Sequence, residues 1–475
     1  MRRKLRKVTA LCMAVLTAVS LSACGQTSQD DAPAETAQVS EAAETGAAES
    51  AEAPAEEAAS SEEAGAEGQE TASDWDLAGE ITITAWNTSY TAIVEGANQF
   101  MELHPEAKIT VEQVADNTKL FTQLTTGTGV PDIMQFQNRD NKTAYEKYPG
   151  AFLDMSDLMS KYEADLMPAV IPLLKDGDTW LAAPWDVAPG LLFYRTDIFE
   201  ECGVNPEDIK TWDDYIEAGK VINEKTNGQT KIMGFDYNGT SSFDMPLIIF
   251  YEQGGSFFDE SGNVQFNSDA VKTAFEIFQK MVDEDVAMNL PNEWTDRITA
   301  LANDTLCAVP YGVWFAGTLK ENLADQAGLW SCMPLPSVEE GGNNQINSGG
   351  STVMISANTK YPELCKGFIE WFLLSTEGSR INMEVASLFN AYMPGYADES
   401  YTNVDEYFGM SPAALAAELC EQIPDLPFPA YFTDIGQIFQ TDAIGPYFVD
   451  KGDLDTVLDA ATQKAQEQLD YLRGE

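Results

Sequence analysis

Histidine is nearly missing from this chain; the only one is His104, next to a proline. A nucleophile–histidine–acid triad needs an imidazole beside the nucleophile, and a histidine metal site needs several. One histidine at an expected helix end supplies neither. No G-x-S-x-G elbow and no phosphate-cradling G-x-x-x-x-G-K-[ST] loop occurs, so no cofactor or metal is expected. Positive charge is scarce as well. Lys and Arg number 27 against 77 Asp and Glu, a net charge of −50. Such a surface repels polyanions, which argues against nucleic acid as a partner. The body of the chain has five cysteines, Cys202, Cys307, Cys332, Cys365 and Cys420, with no C-x-x-C. An odd, scattered set makes neither a disulfide framework nor a zinc site. Cys307 and Cys332 fall in two apolar runs that read as neighbouring strands, and buried thiols are expected there rather than a bridge. Long apolar runs are absent too. The longest near the start, Val8 to Leu21, is shorter than the roughly 20 residues that cross a bilayer.

What is present at the N-terminus is a targeting pattern. Arg2, Arg3, Lys4, Arg6 and Lys7 precede the short apolar stretch, and small residues close it. This describes a secretory signal over residues 1–23. Leu21-Ser22-Ala23-Cys24 resembles the bacterial lipobox, whose cysteine receives a diacylglycerol. Two acyl chains suffice for stable anchoring, so Cys24 is expected to be lipidated. From Gly25 to Ala107 there is no lysine or arginine, and the stretch to about Ala78 is dominated by Ala, Glu, Ser, Thr and Gly. It has too little apolar surface to offset its ordering entropy, and its charges repel one another. Residues 24–78 therefore read as an acidic tether that lifts the remaining chain from the membrane.

The rest exceeds the size at which one core usually divides. Glu80 to Trp86 alternates as a strand does. The stripe Tyr90, Ile93, Val94, Ala97, Phe100 and Met101 then reads as a helix, with Thr88 or Ser89 as its cap and His104-Pro105 as its end. Lys108 to Val114 is a second strand, Asn117 to Thr126 a second helix, and Pro131 to Phe136 a third strand. This order implies parallel pairing in an α/β layer. Thr211 and Asp214 form a capping pattern before a helix. Phe243 to Gln253 is a long apolar helix, "DTLCAVPYGVWF", "GLWSCMPLP" and "GGSTVMI" are further strands, and the last eighty residues read as mostly helical.

Six stretches in order carry a resemblance: "ITITAW", "TGTGVPDIMQF", "AFLDMSDL", the run "APWDVAPGLLFYRTDIFEECGV" leading to "KTWDDYIEAGKVI", "FYEQGGSFFD", and "YGVWF" followed by "SGGSTVMISANTKYPELCKGFIEWFL". Together, behind a lipobox, they resemble extracellular solute-binding protein family 1, the sugar-binding lipoproteins of ABC importers, from about Glu80 to about Asn390. The resemblance implies a two-lobed α/β fold of the periplasmic-binding-protein type (type II), with hinge crossovers and a helical C-terminus. Lobe 1 is expected over residues 79–188 and 349–395, lobe 2 over 189–348, with helices over 396–475 packing on both. Hinges are expected near Pro184 to Leu192, near Asn347 to Ser351, and after Phe389. A ligand touching both lobes shifts the population toward a closed form that the permease can recognise. The implied partners are a small carbohydrate, ABC permease subunits and the extracytoplasmic membrane surface, with the chain a monomer.

Sugars offer apolar C–H faces and rings of hydroxyls, which call for aromatic platforms and planar polar side chains near strand ends. Candidates in the first lobe are Trp86, Asn87, Gln137 and Asn138. The hinge offers Trp185 and Asp186. The second lobe offers Asp236, Tyr237, Asn238 and Trp314, the last on the family's platform position with Gly312 allowing close approach. The return crossing offers Gly349 and Ser351, then Asn390 and Tyr392. Asp236 also fits a solvated turn, and Tyr392 a loop anchor. Two other classes stay open. Glycoside hydrolysis needs only two carboxylates, and a lipid-anchored adhesin would hold polymers without closing. The cargo itself, from monosaccharide to oligosaccharide, polyol or sugar phosphate, is not written in the sequence, and Arg139 alone could favour an acidic ligand.

Overall fold

The computed structural model of the chain describes residues 75–474 apart from residues 116 and 425–427. Cys24, the apolar leader and the tail up to residue 74 lie outside the described residues. Residues 75–78, expected in the tether, instead belong to the fold: Trp75 Nε1 donates to Glu370 Oε2 at 2.6 Å and the Asp76 amide donates to Glu363 Oε2 at 2.7 Å. The described chain begins on an alternating strand, β1 (Gly79–Ala85), whose Ile81 and Ile83 are fully buried. It pairs in parallel with β2 (Ala107–Gln113) on one side and β3 (Ile133–Gln137) on the other. The crossovers are α1 (Asn87–Leu103) and α2 (Thr118–Thr126). Apolar residues recur along α1 at helical spacing, and Ala92, Ile93, Ala97 and Phe100 are buried, Phe100 edge-on to Phe368 at 5.3 Å. This helix starts earlier than its Thr/Ser pattern suggests. Trp86 is its N-cap without a side-chain bond, and Asn87 opens it at φ 48°. The Trp86 amide instead donates to Gln135 Oε1 at 2.9 Å, so the strand end sets the start of the helix.

The strand Ser351–Ile355 returns antiparallel to β3, and the short strand Ala183–Pro184 lies antiparallel beyond it, completing five strands. A second sheet places Gly190–Arg195 between Ala308–Gly312 and Trp330–Pro334, all antiparallel. The two cysteine-bearing runs are therefore not neighbours, because Gly190–Arg195 separates them. Cys307 and Cys332 are buried free thiols, and burial pushes the Cys332 thiol up to about 12. Thr211 and Asp214 do form a reciprocal capping box on the helix Trp212–Lys225.

The chain thus passes from the first sheet to the second between Pro184 and Gly190, and returns between Pro334 and Ser351. These passages and the segment after Phe389 lie side by side. Antiparallel bridges join Asp186 to Asn390 and Pro189 to Asn347. On the return, Gly349 and Gly350 adopt φ 112° and 95°, a region where a Cβ is strained. A Cβ on Gly350 would also meet the Asp186 carbonyl oxygen at 2.6 Å.

The C-terminal helices join the second lobe through a cluster of rings. Phe257 stacks on Phe432 at 5.5 Å and meets Phe439 at 4.7 Å, and Phe275 packs on Phe439 and Phe448. The same segment reaches the first lobe. Thr433 donates to Asp140 at 2.6 Å and the Tyr431 amide donates to Thr143 at 2.7 Å. Among the described residues no helix is long and apolar enough to cross a membrane.

Candidate functional site

The ends of β1 and β3, the return crossing and the second sheet converge on one cleft of about 620 Å³. That volume lies within the ~300–1,000 Å³ typical of small-molecule sites. The first-lobe wall is polar. Trp86 and Asn87 follow β1, and Gln137, Asn138 and Arg139 follow β3. Asn138 is buried; its Nδ2 donates to the Gly349 carbonyl at 3.3 Å, and its Oδ1 has no partner among the described residues. Gln135, behind them, receives the Trp86 amide through its Oε1 and donates through Nε2 to Ser351 Oγ at 3.0 Å. The wall is thus tied to the hinge by amide side chains.

The second-lobe wall centres on rings and apolar side chains, with Asp244, Thr318, Glu321 and Asn322 around them. Trp314 follows the strand Ala308–Gly312. Its Nε1 donates to the Ser348 carbonyl at 2.9 Å, which fixes the indole against the return crossing. Tyr311 meets it edge-on at 4.8 Å, and Trp294 lies nearly parallel to it at 6.1 Å and 28°. Gly312 is required at this point, since a Cβ there would sit 2.6 Å from Trp314 Nε1 and 2.9 Å from the Ser348 oxygen. Behind Tyr311 the Arg297 guanidinium lies over its ring at 4.9 Å and pairs with Glu293 at 2.5 Å, both buried. The helix Asp244–Glu252 adds Leu247, Ile248 and Tyr251.

Among the described residues, four charged ones line the cleft: Arg139, Asp186, Asp244 and Glu321. Arg139 Nη1 donates to Asp244 Oδ1 at 2.9 Å, joining the two lobes across the cleft. Burial works against the guanidinium charge, but Asp244 and Asp140 outweigh it and hold the arginine charged. Asp186 is 4% exposed and accepts the Ser351 amide at 2.8 Å. Burial pushes its carboxyl up to about 7, with the bonds from Ser351 opposing the shift. Among the described residues no group of three or more His, Cys, Asp and Glu is placed to hold a metal.

A family model for bacterial extracellular solute-binding proteins matches residues 81–378. The chain belongs to this family. It is 29% identical over 351 residues to the lactose-binding protein of Rhizobium radiobacter, spanning 70% of this chain and 79% of that protein. It is 26% identical over 317 residues to the arabinooligosaccharide-binding protein of Bacillus subtilis, spanning 64% and 71%. Among solved structures, the binding protein of B. animalis subsp. lactis in complex with beta-1,6-galactobiose superposes with a TM-score of 0.69 at 22% identity, over 82% of this chain and 98% of that one. The GacH receptor of Streptomyces glaucescens gives 0.68 at 18%, over 82% and 99%. At these identities the structural matches establish the two-lobed fold.

In this solute-binding protein the cleft gathers eight of the sequence candidates: Trp86, Asn87, Gln137, Asn138, Asp186, Trp314, Gly349 and Ser351. Six others lie off its lining. Trp185 is fully buried, edge-on to Phe372 at 5.7 Å, with Nε1 donating to Asn382 at 2.7 Å. It precedes Asp186 on an extended segment, so the two side chains take opposite faces. The Asp236 carboxylate is occupied by its own loop, accepting amides from Asn238, Thr240, Ser241 and Ser242. Tyr237 packs edge-on against Phe235 at 5.3 Å, and the Asn238 carbonyl abuts Gly445. Asn390 is fully buried, and its backbone N–H donates to the Tyr401 hydroxyl at 3.2 Å. Tyr392 packs on Tyr162 at 6.2 Å and anchors a loop.

Sequence reasoning did not select Asp244, Leu247, Ile248, Tyr251, Trp294 or Tyr311, which the fold brings to the cleft. One signal was available. An acid opening an otherwise apolar helix, as Asp244 does, has to find a partner where the helix is buried.

Proposed function

We propose that this chain is the extracytoplasmic receptor of an ABC importer, capturing a small carbohydrate between its lobes and delivering it to the permease. The observation that carries this reading is that one cleft is lined both by an indole at Trp314 and by amide side chains at Gln137 and Asn138. A pyranose ring presents an apolar face and an equatorial ring of hydroxyls, which match these two kinds of side chain in turn. The relatives named for lactose and arabinooligosaccharide binding support a carbohydrate, and the volume has room for more than one sugar ring. The ligand set we infer is Trp86, Asn87, Gln137, Asn138, Asp186, Trp314, Gly349 and Ser351. Lobe 1 is taken as residues 79–188 and 349–395, lobe 2 as 189–348, with 396–475 packing on both. The chain acts as a monomer, held to the membrane through a diacylglycerol on Cys24 and lifted from it by residues 24–74, since Trp75 and Asp76 already bond to the folded part.

The cleft is read as non-catalytic. Of its three carboxylates among the described residues, Asp186 accepts the Ser351 amide and Asp244 pairs with Arg139, which leaves Glu321 alone, whereas glycoside hydrolysis needs both an acid and a base or nucleophile. A thermal-shift screen of the full chain against mono- and oligosaccharides tests the proposal. A ligand at a hundred times its Kd stabilises by about 2.7 kcal/mol, and the sugar should be recovered intact. Cleaved sugar would establish a hydrolase, and no shift with any small sugar would overturn the carbohydrate reading. For the anchor, Cys24→Ala should release the protein from the cell, and retention at the membrane would refute lipidation there.

A further inference from the structure

Arg139 is the one basic side chain among the described residues lining the cleft, beside three acids, Asp186, Asp244 and Glu321. A free guanidinium in a half-enclosed cleft is a ready site for carboxylate or phosphate. Here it is not free. Nη1 donates to Asp244 Oδ1 at 2.9 Å and Nε donates to Gln137 Oε1 at 2.9 Å. The guanidinium also lies over the Phe243 ring at 5.4 Å. The pair is neither sealed off nor fully solvated: side-chain exposure is 26% for Arg139 and 38% for Asp244. Both residues therefore meet whatever occupies the cleft, in surroundings where charge is only partly screened.

We propose that Asp244 is a specificity-determining residue: as the built-in counter-ion of Arg139, it reserves the cleft for uncharged ligands and rejects acidic ones such as uronates and sugar phosphates. This rests on the carbohydrate reading of the same cleft. An acidic ligand could reach Arg139 only by displacing Asp244, which would leave that carboxylate beside the incoming anion. Like charges at close range oppose each other by several-fold to orders of magnitude in affinity. A hydroxyl can approach the pair without displacing either partner, donating to Asp244 or accepting from Arg139. The two partners come from different lobes, Arg139 after β3 and Asp244 at the start of the helix Asp244–Glu252. The selection therefore operates in the conformation in which the cleft is assembled.

The test uses the full chain as wild type, Asp244→Asn, Asp244→Ser and the double variant Asp244→Asn/Arg139→Gln. Inorganic phosphate and glucuronate come first, since neither depends on knowing the cargo. Melting of the wild type should not respond to millimolar amounts of either. Asp244→Asn should gain a stabilisation by both, and the double variant should lose it. The matched disaccharides galactobiose and digalacturonate come second, differing in whether each ring has a hydroxymethyl or a carboxylate. The wild type should prefer the neutral form by about tenfold or more, and Asp244→Asn should narrow or reverse that preference. The proposal is overturned if the wild type binds digalacturonate at least as tightly as galactobiose, or if folded Asp244→Asn and Asp244→Ser gain no anion response. Should no neutral sugar bind at all, the carbohydrate reading fails, while the phosphate and glucuronate arms still decide whether Asp244 masks Arg139.

Discussion

The two walls of the cleft are built by opposite means. The first-lobe wall combines Trp86 and Arg139 with amide side chains at strand ends, which are tied to the return crossing by Asn138 Nδ2 donating to the Gly349 carbonyl and, from behind, by Gln135 Nε2 donating to the Ser351 hydroxyl. The second-lobe wall is made of rings that hold one another, with Trp314 between Tyr311 and Trp294. Hydrogen bonds are directional and contribute modestly each, whereas buried aromatic area contributes more and tolerates small displacements. The division of labour that follows is affinity from the aromatic wall and orientation from the amide wall.

Removing the platform should have the largest effect. Trp314→Ala deletes the stacking surface and the bond to Ser348. Truncating a central aromatic anchor costs about 2–4 kcal/mol, or roughly 30- to 1,000-fold in Kd. Calorimetric titration of the cognate sugar measures it, with a melt to show that the fold survives. A loss under about threefold would place the affinity elsewhere and end the contrast between the walls.

The next effect belongs to the hinge side of the polar wall and is read in stability. Burial holds the Asp186 carboxyl at about 7 and the Glu252 carboxyl at about 8, both above the ordinary carboxylate range. Between that range and about 7, folded Asp186 keeps a proton that the unfolded chain releases. Its stabilising contribution is therefore complete at low pH and is lost as pH rises through that window. Glu252 acts with the same sign to slightly higher pH. Asp186→Asn keeps an acceptor for the Ser351 amide and removes the titration. The fall in stability from pH 5 to pH 8 should shrink by on the order of 2 kcal/mol, as measured by urea unfolding at several pH values. An unchanged slope would mean that Asp186 is ionised throughout.

How far the walls were legible in the sequence follows the same division. The first-lobe candidates sit immediately after strands whose alternation is plain, so Trp86, Asn87, Gln137 and Asn138 could be placed from local pattern alone. Gly349 was legible because paired glycines mark a backbone that a Cβ would strain. Trp314 came from the family resemblance, which places a platform there, with Gly312 allowing close approach. Trp185 misled because a tryptophan beside a hinge acid invites a ligand role, while the alternation of an extended segment sends one of the two into the core. Asp244 and Tyr251 come from a helix whose apolar surround says only that it is buried, and Trp294 from the first turn of the helix Glu293–Ala302. Their arrival at the cleft depends on how distant elements pack, which no window of sequence records.

A smaller effect should follow from the amide wall. Asn138→Ala removes the donor to Gly349 and any bond to a sugar hydroxyl. A single neutral hydrogen bond contributes about 0.5–1.5 kcal/mol, so affinity should fall about two- to tenfold. Because it orients the ligand, discrimination between epimers such as glucose- and galactose-based disaccharides should fall with it. Equal weakening toward every sugar tried would deny this wall its orienting role.

An effect of the same size as that of Asn138, but reached indirectly, is expected from Trp294. It is 46% exposed and lies face to face with Trp314 at the edge of the aromatic wall. Half-exposed residues contribute little to folding, so Trp294→Ala should leave the melting temperature nearly unchanged. Its stacking limits the freedom of the Trp314 indole, and aromatic pairs of this kind contribute about 0.5–1.5 kcal/mol. The expected loss of sugar affinity is therefore two- to tenfold, and none of it should remain in a Trp314→Ala background, where there is no indole left to position. If the two losses instead add, Trp294 meets the sugar itself and the platform extends over a second ring of the ligand. The double-mutant cycle separates these outcomes.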